Sequence, residues 1–269
     1  LGGVWAGTIN TIVGSGTLVS FPILVAVGLP PVTANVSNSV GLVPGSLTGA
    51  WGYRRELQGQ GHRLRWLMPA TTLGGILGAV LLLRLPSAAF EAVVPVLIGL
   101  GVLLVVLGPR IQRAVAAHDE ERGGLPERGA WWVWPTVFGT GVYGGYFGAA
   151  QGVLLMAIFG IGVDDHVQRH NAVKNVLAAL VNAVAAVVFI LVTHVDWLAA
   201  VLVGAGAIIG GLIGASGGRP LSPAPPPGVV VVGGGVAPGG VGGGLGTAGF
   251  PAPGRGRSPP RGAPPPAAP

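Results

Sequence analysis

The stretch Gly74-Gly75-Ile76-Leu77-Gly78-Ala79 returns as Gly210-Gly211-Leu212-Ile213-Gly214-Ala215, 136 residues further along the chain. The same shift of 136 carries Gly16 onto Gly152, each closing a small-residue break in an apolar run. It also carries Asn35 onto Asn171, each opening a new apolar segment just after a break. Agreement at one offset in three separate places is hard to obtain from composition alone. Duplicated halves in an apolar chain are a common transporter plan, with the solute held where the halves meet.

Half of the 269 residues are hydrophobic and 9% are charged, against about 25% charged in a soluble domain. So little charge cannot cover the surface of a soluble fold, whereas a lipid-facing surface needs no such cover. The apolar runs approach the length of a helical span and lack the alternation of barrel strands, so the chain reads as an all-α, polytopic helical membrane protein. The net charge of +6 does not signal a nucleic-acid partner, because Arg219, Arg255, Arg257 and Arg261 supply +4 of it after Ser216. The body holds only +2 and shows no concentrated basic face. With no cysteine, disulfides, thiolate metal sites and cysteine nucleophiles are excluded. No cofactor is called for. The chain opens at Leu1 inside an apolar run, which reads as a missing start; no basic n-region or cleavage site is visible.

Seven apolar segments follow, near 2–27, 32–51, 66–85, 88–107, 131–161, 170–193 and 197–215. The first is interrupted by Gly14-Ser15-Gly16 and Pro22, and the second carries Pro44, which reads as a kink. The fifth is longer than a simple span needs, so it is expected to tilt or to break at Gly148-Ala149-Ala150-Gln151-Gly152. Trp131, Trp132 and Trp134 sit at its entry as an interfacial aromatic belt. The organisation expected is a first membrane repeat over 1–109, a linker over 110–130, a second and incomplete repeat over 131–215, and a tail over 216–269. The 53–65 loop and the 110–128 stretch carry four arginines each, which places both in the cytoplasm. That placement puts Asp164 to Lys174 outside, despite Arg169, and makes the repeats parallel, with about four segments each and the last one lost. In the tail, 14 of 54 residues are Pro and 16 are Gly, so it reads as disordered. Its dependence on residues with GC-rich codons fits a reading-frame shift near Ala215; a genuine low-complexity tail is the plainer alternative.

Polar groups at membrane depth are costly and mark function. Asn10, Ser15, Asn35, Ser37, Asn38, Gln151, Asn171, Lys174, Asn175 and Asn182 lie in or beside apolar segments, clustered at the glycine-rich breaks and in the first turns of the segments after them. A broken helix offers unpaired N–H groups at a positive end, and Gly14, Gly16 and Gly152 let backbone approach a ligand closely. Amide side chains add donors without fixed charge, so an anion could be bound and then released. Lys174 is the one cation on an otherwise apolar face, and the 136 shift aligns it with Asn38. The plain readings stand beside these. Lys174 could snorkel to headgroups, and Asn and Ser could simply hold helices together. Gly74, Gly75, Gly78, Gly210, Gly211 and Gly214 read as packing glycines. His166 and His170 have a metal-compatible spacing, but Asp164 and Asp165 beside them read more simply as helix-capping acids, so no metal is expected. His194 and Asp196 lie at a loop, where solvation is the plain reading and proton coupling the functional one. No base stands in reach of Ser15 to make it a nucleophile, so no enzyme is expected.

Several motifs then stand out together: Ala6-Gly7-Thr8-Ile9-Asn10, Gly14-Ser15-Gly16-Thr17-Leu18-Val19-Ser20-Phe21-Pro22 and Ala34-Asn35-Val36-Ser37-Asn38-Ser39-Val40-Gly41-Leu42-Val43-Pro44-Gly45. Gly52-Tyr53-Arg54-Arg55-Glu56-Leu57, Tyr143-Gly144-Gly145-Tyr146-Phe147-Gly148-Ala149-Ala150-Gln151-Gly152 and Asn171-Ala172-Val173-Lys174-Asn175 complete the set. In these the body, about Leu1 to Ala215, resembles the sulfite exporter TauE/SafE family of membrane transporters. The resemblance implies a helical bundle in the bacterial inner membrane and export of sulfite or organosulfonate anions. The leading expectation is a secondary transporter of a small anion, with the lipid bilayer as its other partner and no nucleic acid. The alternative is a non-transporting membrane protein, or a defective product lacking its last span. The residues name no single anion, coupling ion or oligomeric state.

Overall fold

A computed structural model describes residues 1–119 and 129–217, and among these the chain is helical, without strands. The helices are α1 (Gly2–Ile12), α2 (Thr17–Ala26), α3 (Pro31–Gly52), α4 (Gly61–Arg84), α5 (Ser87–Asp119), α6 (Val133–Tyr146), α7 (Gln151–Gly162), α8 (Val167–Val192) and α9 (Trp197–Gly217). Four of them are long and apolar enough to cross a membrane: α4, the 87–110 part of α5, α8 and α9. α3 is long enough, at 22 residues, but is diluted by Asn35, Ser37, Asn38, Ser39 and Ser46, all of them buried. It is the inner helix, and its polar face is turned to protein. The expected segments recur closely, except that α5 runs past Leu107 to Asp119, into the expected linker. The expected tail disorder and frame shift lie outside the described residues, apart from Ser216 and Gly217, which complete α9.

Both expected breaks occur, and each folds the chain back on itself. Gly14 (φ +82°) opens the turn between α1 and α2, and Gly2 then lies against Ile23. Gly148 (φ +75°) and Ala150 (φ +61°) turn α6 into α7, and the Ala130 N–H donates to the Gly162 carbonyl at 2.7 Å. Left-handed backbone costs glycine little and alanine more. Segments one and five are therefore helical hairpins whose two ends share a face, rather than tilted single spans.

The expected orientation needs one correction. The Arg63 guanidinium lies 2.7 Å from the Asp165 carboxylate, and Arg169 donates to the Gln58 carbonyl at 2.7 Å. The 53–65 loop and the 164–169 loop are thus on one face, not on opposite sides of the membrane. α3 runs toward this arginine-rich face and α8 away from it; α4 runs away and α9 returns, ending beside Gly52 at Ala215. The later crossing helices run opposite in sense to the earlier ones, so a parallel arrangement does not hold. Counting arginines loop by loop missed this because each hairpin was taken as a span.

Close backbone approach holds the bundle together. A Cβ on Gly74 would come within 2.9 Å of the Val142 nitrogen, and one on Gly210 within 2.7 Å of the Thr8 nitrogen. These glycines pack α4 on α6 and α9 on α1, as small residues do in membrane bundles. Gly75 is the exception, with only ordinary contact to Val181 at 3.7 Å. An aromatic cluster of Phe21, Phe90 and Phe147 joins α2, α5 and the α6–α7 turn, with the Phe21 and Phe147 rings 5.2 Å apart. Leu100 and Leu103 of α5, Leu191 of α8 and Leu202 of α9 face outward, as a lipid-facing surface does.

Candidate functional site

The two hairpins enter from opposite faces and touch at their tips. The Gly152 N–H donates to the Gly14 carbonyl at 3.0 Å. A side chain on either glycine would run into the other's Cα. Glycine is required here for contact rather than for φ alone, since Gly152 lies inside a helix. Gly14 and Gly152 thus meet, one from each hairpin.

Each tip brings a helix C-terminus to the centre, with carbonyls left over from the helical ladder. At α1, Lys174 Nζ donates to the Thr11 carbonyl at 3.1 Å and to the Ile12 carbonyl at 3.3 Å. At α6, Asn35 Nδ2 donates to the Tyr146 carbonyl at 2.9 Å. Lys174 is 0% exposed, which rules out snorkelling to headgroups. Arg63 and Arg169 form ion pairs with Asp165, and Lys174 has no carboxylate partner among the described residues. A buried, unpaired cation costs several kcal/mol. The carbonyl end of α1, which carries partial negative charge, offsets part of that.

The other expected residues divide into two groups. Asn10 accepts the Gly16 N–H at 3.4 Å and donates to Ser46 Oγ at 3.1 Å. Asn38 donates to Thr17 Oγ1 at 3.3 Å, holding α3 to the first turn of α2. Gln151 is buried against Gly144. These three residues and Asn35 make contacts that hold the tips, while Asn35 Oδ1 and Asn38 Oδ1 are buried without partners. Ser15 is buried at the first tip, and its hydroxyl has no hydrogen-bond partner. The Thr11 hydroxyl, on the residue whose carbonyl Lys174 holds, is also buried without one. Asn171 and Asn175 flank Lys174 on α8; Asn171 Oδ1 and Asn175 Nδ2 are buried and unpaired, but neither residue reaches a tip by a hydrogen bond. Buried polar atoms without partners are rare enough that a cluster of them points to a ligand or to water.

Two groups were missed from sequence. Ser46 accepts from both Asn10 and Asn182 at 3.1 Å, and Ser46 and Asn182 are 136 residues apart. The offset itself was the signal, had it been applied to Ser46. The second group centres on Asp165. No side-chain cap forms at α8, whose N-cap is His166. The Asp165 carboxylate instead takes Gln60 Nε2 at 2.6 Å and both arginines. Burial by itself would raise this carboxyl's pKa. The hydrogen bonds from Arg63, Gln60 and the His166 N–H, with the Arg63 charge, outweigh burial and lower it to about 2. Asp196 is a helix cap rather than a solvated acid: its Oδ1 accepts the Ala199 N–H at 2.8 Å, and its own N–H donates to Ser37 Oγ at 2.9 Å. No group of three or more potential metal ligands gathers among the described residues.

Paired helical hairpins whose polar tips are buried between crossing helices are an arrangement in which membrane transport proteins hold a solute. The profile of the family described as "Sulfite exporter TauE/SafE" matches residues 1–225, and the chain belongs to that family of membrane transporters. It is 24% identical over 215 residues to a "Probable membrane transporter protein" of Haemophilus influenzae, covering 79% of this chain and 81% of the relative. It is 26% identical over 215 residues to the "Probable membrane transporter protein YfcA" of Escherichia coli K12, covering 78% and 75%. No solved structure matches the chain.

Proposed function

We propose that this chain is a secondary transporter that exports a small oxyanion, a sulfur oxyanion such as sulfite or an organosulfonate, across a bacterial inner membrane. One observation carries the reading: Lys174 is fully buried without a carboxylate, at the junction of the two hairpin tips. Two of its three N–H bonds go to carbonyls of α1. The third, with the Ser15 hydroxyl beside Gly14 at the same junction, leaves unspent donors near one positive charge, whereas the Thr11 hydroxyl lies toward Gly49 of α3. Such a set suits a singly or doubly charged oxyanion better than a cation or a neutral solute. Neutral donors around a single charge leave binding weak enough for release.

Arg54, Arg55, Arg63, Arg65, Arg110 and Arg169 all belong to the arginine-rich face, which we assign to the cytoplasm. Arg84 stands alone at the opposite end of α4. With Arg169 on this side, its position agrees with the positive-inside rule. The shift of 136 then relates two halves of inverted sense, with the Ser46–Asn182 hydrogen bond on the axis between them. Inverted halves that rock against each other around a central site give alternating access.

The test is solute counterflow in proteoliposomes with sulfite, sulfoacetate, sulfate and acetate, each at several pH values. Accumulation of labelled sulfite or sulfoacetate against an unlabelled interior is expected, with acetate weaker. Equal and null counterflow for all four would end the anion reading.

A further inference from the structure

A transporter needs a barrier on each side of its central site, and here the two barriers have different chemistry. On the arginine-rich face, Asp165 Oδ2 accepts from Arg63 Nη1 at 2.7 Å and Gln60 Nε2 at 2.6 Å. Asp165 Oδ1 accepts from Arg169 Nη1 at 3.2 Å and from the His166 N–H at 2.9 Å. Arg63 Nη1 also donates to Gln60 Oε1 at 2.6 Å, and Arg169 Nη2 to the Gln58 carbonyl at 2.7 Å. The Arg63 and Asp165 side chains are only 9% and 7% exposed. The cluster ties the loop and first turn leading into α4 to those leading into α8, bridging residues more than 100 apart in the chain. One helical turn before Lys174, His170 is buried with Nε2 unpartnered, so unspent polar atoms continue along α8 from the cluster toward the centre.

The positions 136 away from Arg63 and Asp165 are Ala199 and Leu29. Both belong to a single apolar cluster on the opposite face. One barrier is a buried ion-pair network; the other is mostly apolar, and an acid beside it, Asp196, caps α9 at the Ala199 N–H, its carboxylate forming no ion pair among the described residues. A buried ion pair is a poor way to gain stability, because desolvation consumes most of the attraction. Opening it toward water returns that hydration, whereas opening an apolar seal exposes surface at a cost.

We propose that the Asp165 cluster is the gate on the arginine-rich face: it closes the path to Lys174 by joining the two halves, and opens by rehydrating Arg63 and Asp165 separately. This deepens the transport reading and rests on it.

The chain has no cysteine, so Ser15→Cys places a single thiol at the central tip. Its labelling by a membrane-impermeant thiol reagent is measured from each face, in inside-out and right-side-out vesicles. Adding Asp165→Asn is expected to raise the rate from the arginine-rich face about tenfold or more and to leave the opposite face unchanged. Arg63→Gln gives the same result through the other partner, should Asp165→Asn fail to fold. Arg169→Ala, the more exposed arm at 37%, changes the rate less than about twofold. Unchanged labelling in both Asp165→Asn and Arg63→Gln, or an equal rise on both faces, would overturn the gate. Silent counterflow with every anion, alongside labelling that still turns on Asp165, would remove the anion reading and leave the gate standing.

Discussion

Two helix ends meet at the centre of this protein, and they are finished differently. The carbonyl end of α1 is held by an ammonium, Lys174, and that of α6 by an amide, Asn35. Both holders come from the early turns of a long helix that begins just after a hairpin, and both reach across to the hairpin of the other half. The backbone problem is the same, since a C-terminus in a low-dielectric interior must have its carbonyls paired. An amide is sufficient to solve it. A buried lysine is a far more expensive solution, which is the reason we propose a use for its charge beyond capping. The difference locates the single fixed charge of the junction on one half of the molecule.

That comparison can be broken most directly at Lys174. Lys174→Ala is expected to lower anion flux in proteoliposomes by about a hundredfold, ~2.7 kcal/mol of barrier, while membrane insertion and the monodisperse profile in detergent stay unchanged. Flux at the parent level would reduce Lys174 to a cap and make the two ends equivalent. Asn35→Ala should act on stability instead. Loss of one interhelical hydrogen bond in a membrane bundle costs about 0.6–1.7 kcal/mol, read as a fall of about 2–4 °C in the thermal midpoint, with flux kept within about twofold. A flux loss as deep as that of Lys174→Ala would sink the distinction.

The smallest effect concerns pH and the Asp165 cluster. The Asp165 carboxyl is held down at about 2, below its value of about 3.9 in an unfolded chain. A depressed carboxyl contributes stability that is fully present above the unfolded value and is lost as pH falls through the folded one. The difference in thermal midpoint between the parent and Asp165→Asn should therefore be constant from about pH 5 to pH 8 and shrink below about pH 4. A difference that varied between pH 5 and 8 would mean that another group titrates in the gate.

Much of the fold was readable in the chain. Apolar run length gave the spans, and the glycines gave the places where the helices break, though not the reversal of direction there, because Gly14 and Gly148 stand where the backbone takes positive φ. The candidate site was half legible. Polarity inside apolar runs picked out Lys174, Asn35 and Ser15, but it could not separate the groups that pair within the protein from those left unspent. Asn10 looked as promising as Ser15, yet its amide is bonded to Ser46 and the Gly16 N–H, and Asn38 spends its Nδ2 on Thr17 while its Oδ1 stays unpartnered. Pairing depends on which helices face each other, and periodicity within one segment carries no such information.

The sequence by itself determined that this is a helical membrane protein, because low charge and long apolar runs have few other physical outcomes. Only the tertiary structure decided that the two breaks are hairpins entering from opposite faces, and hence that Arg63 and Asp165 share a side. A turn of four residues can continue a span or reverse it, and the choice rests on contacts such as Gly14 with Gly152 and Ala130 with Gly162, each between residues far apart in the chain.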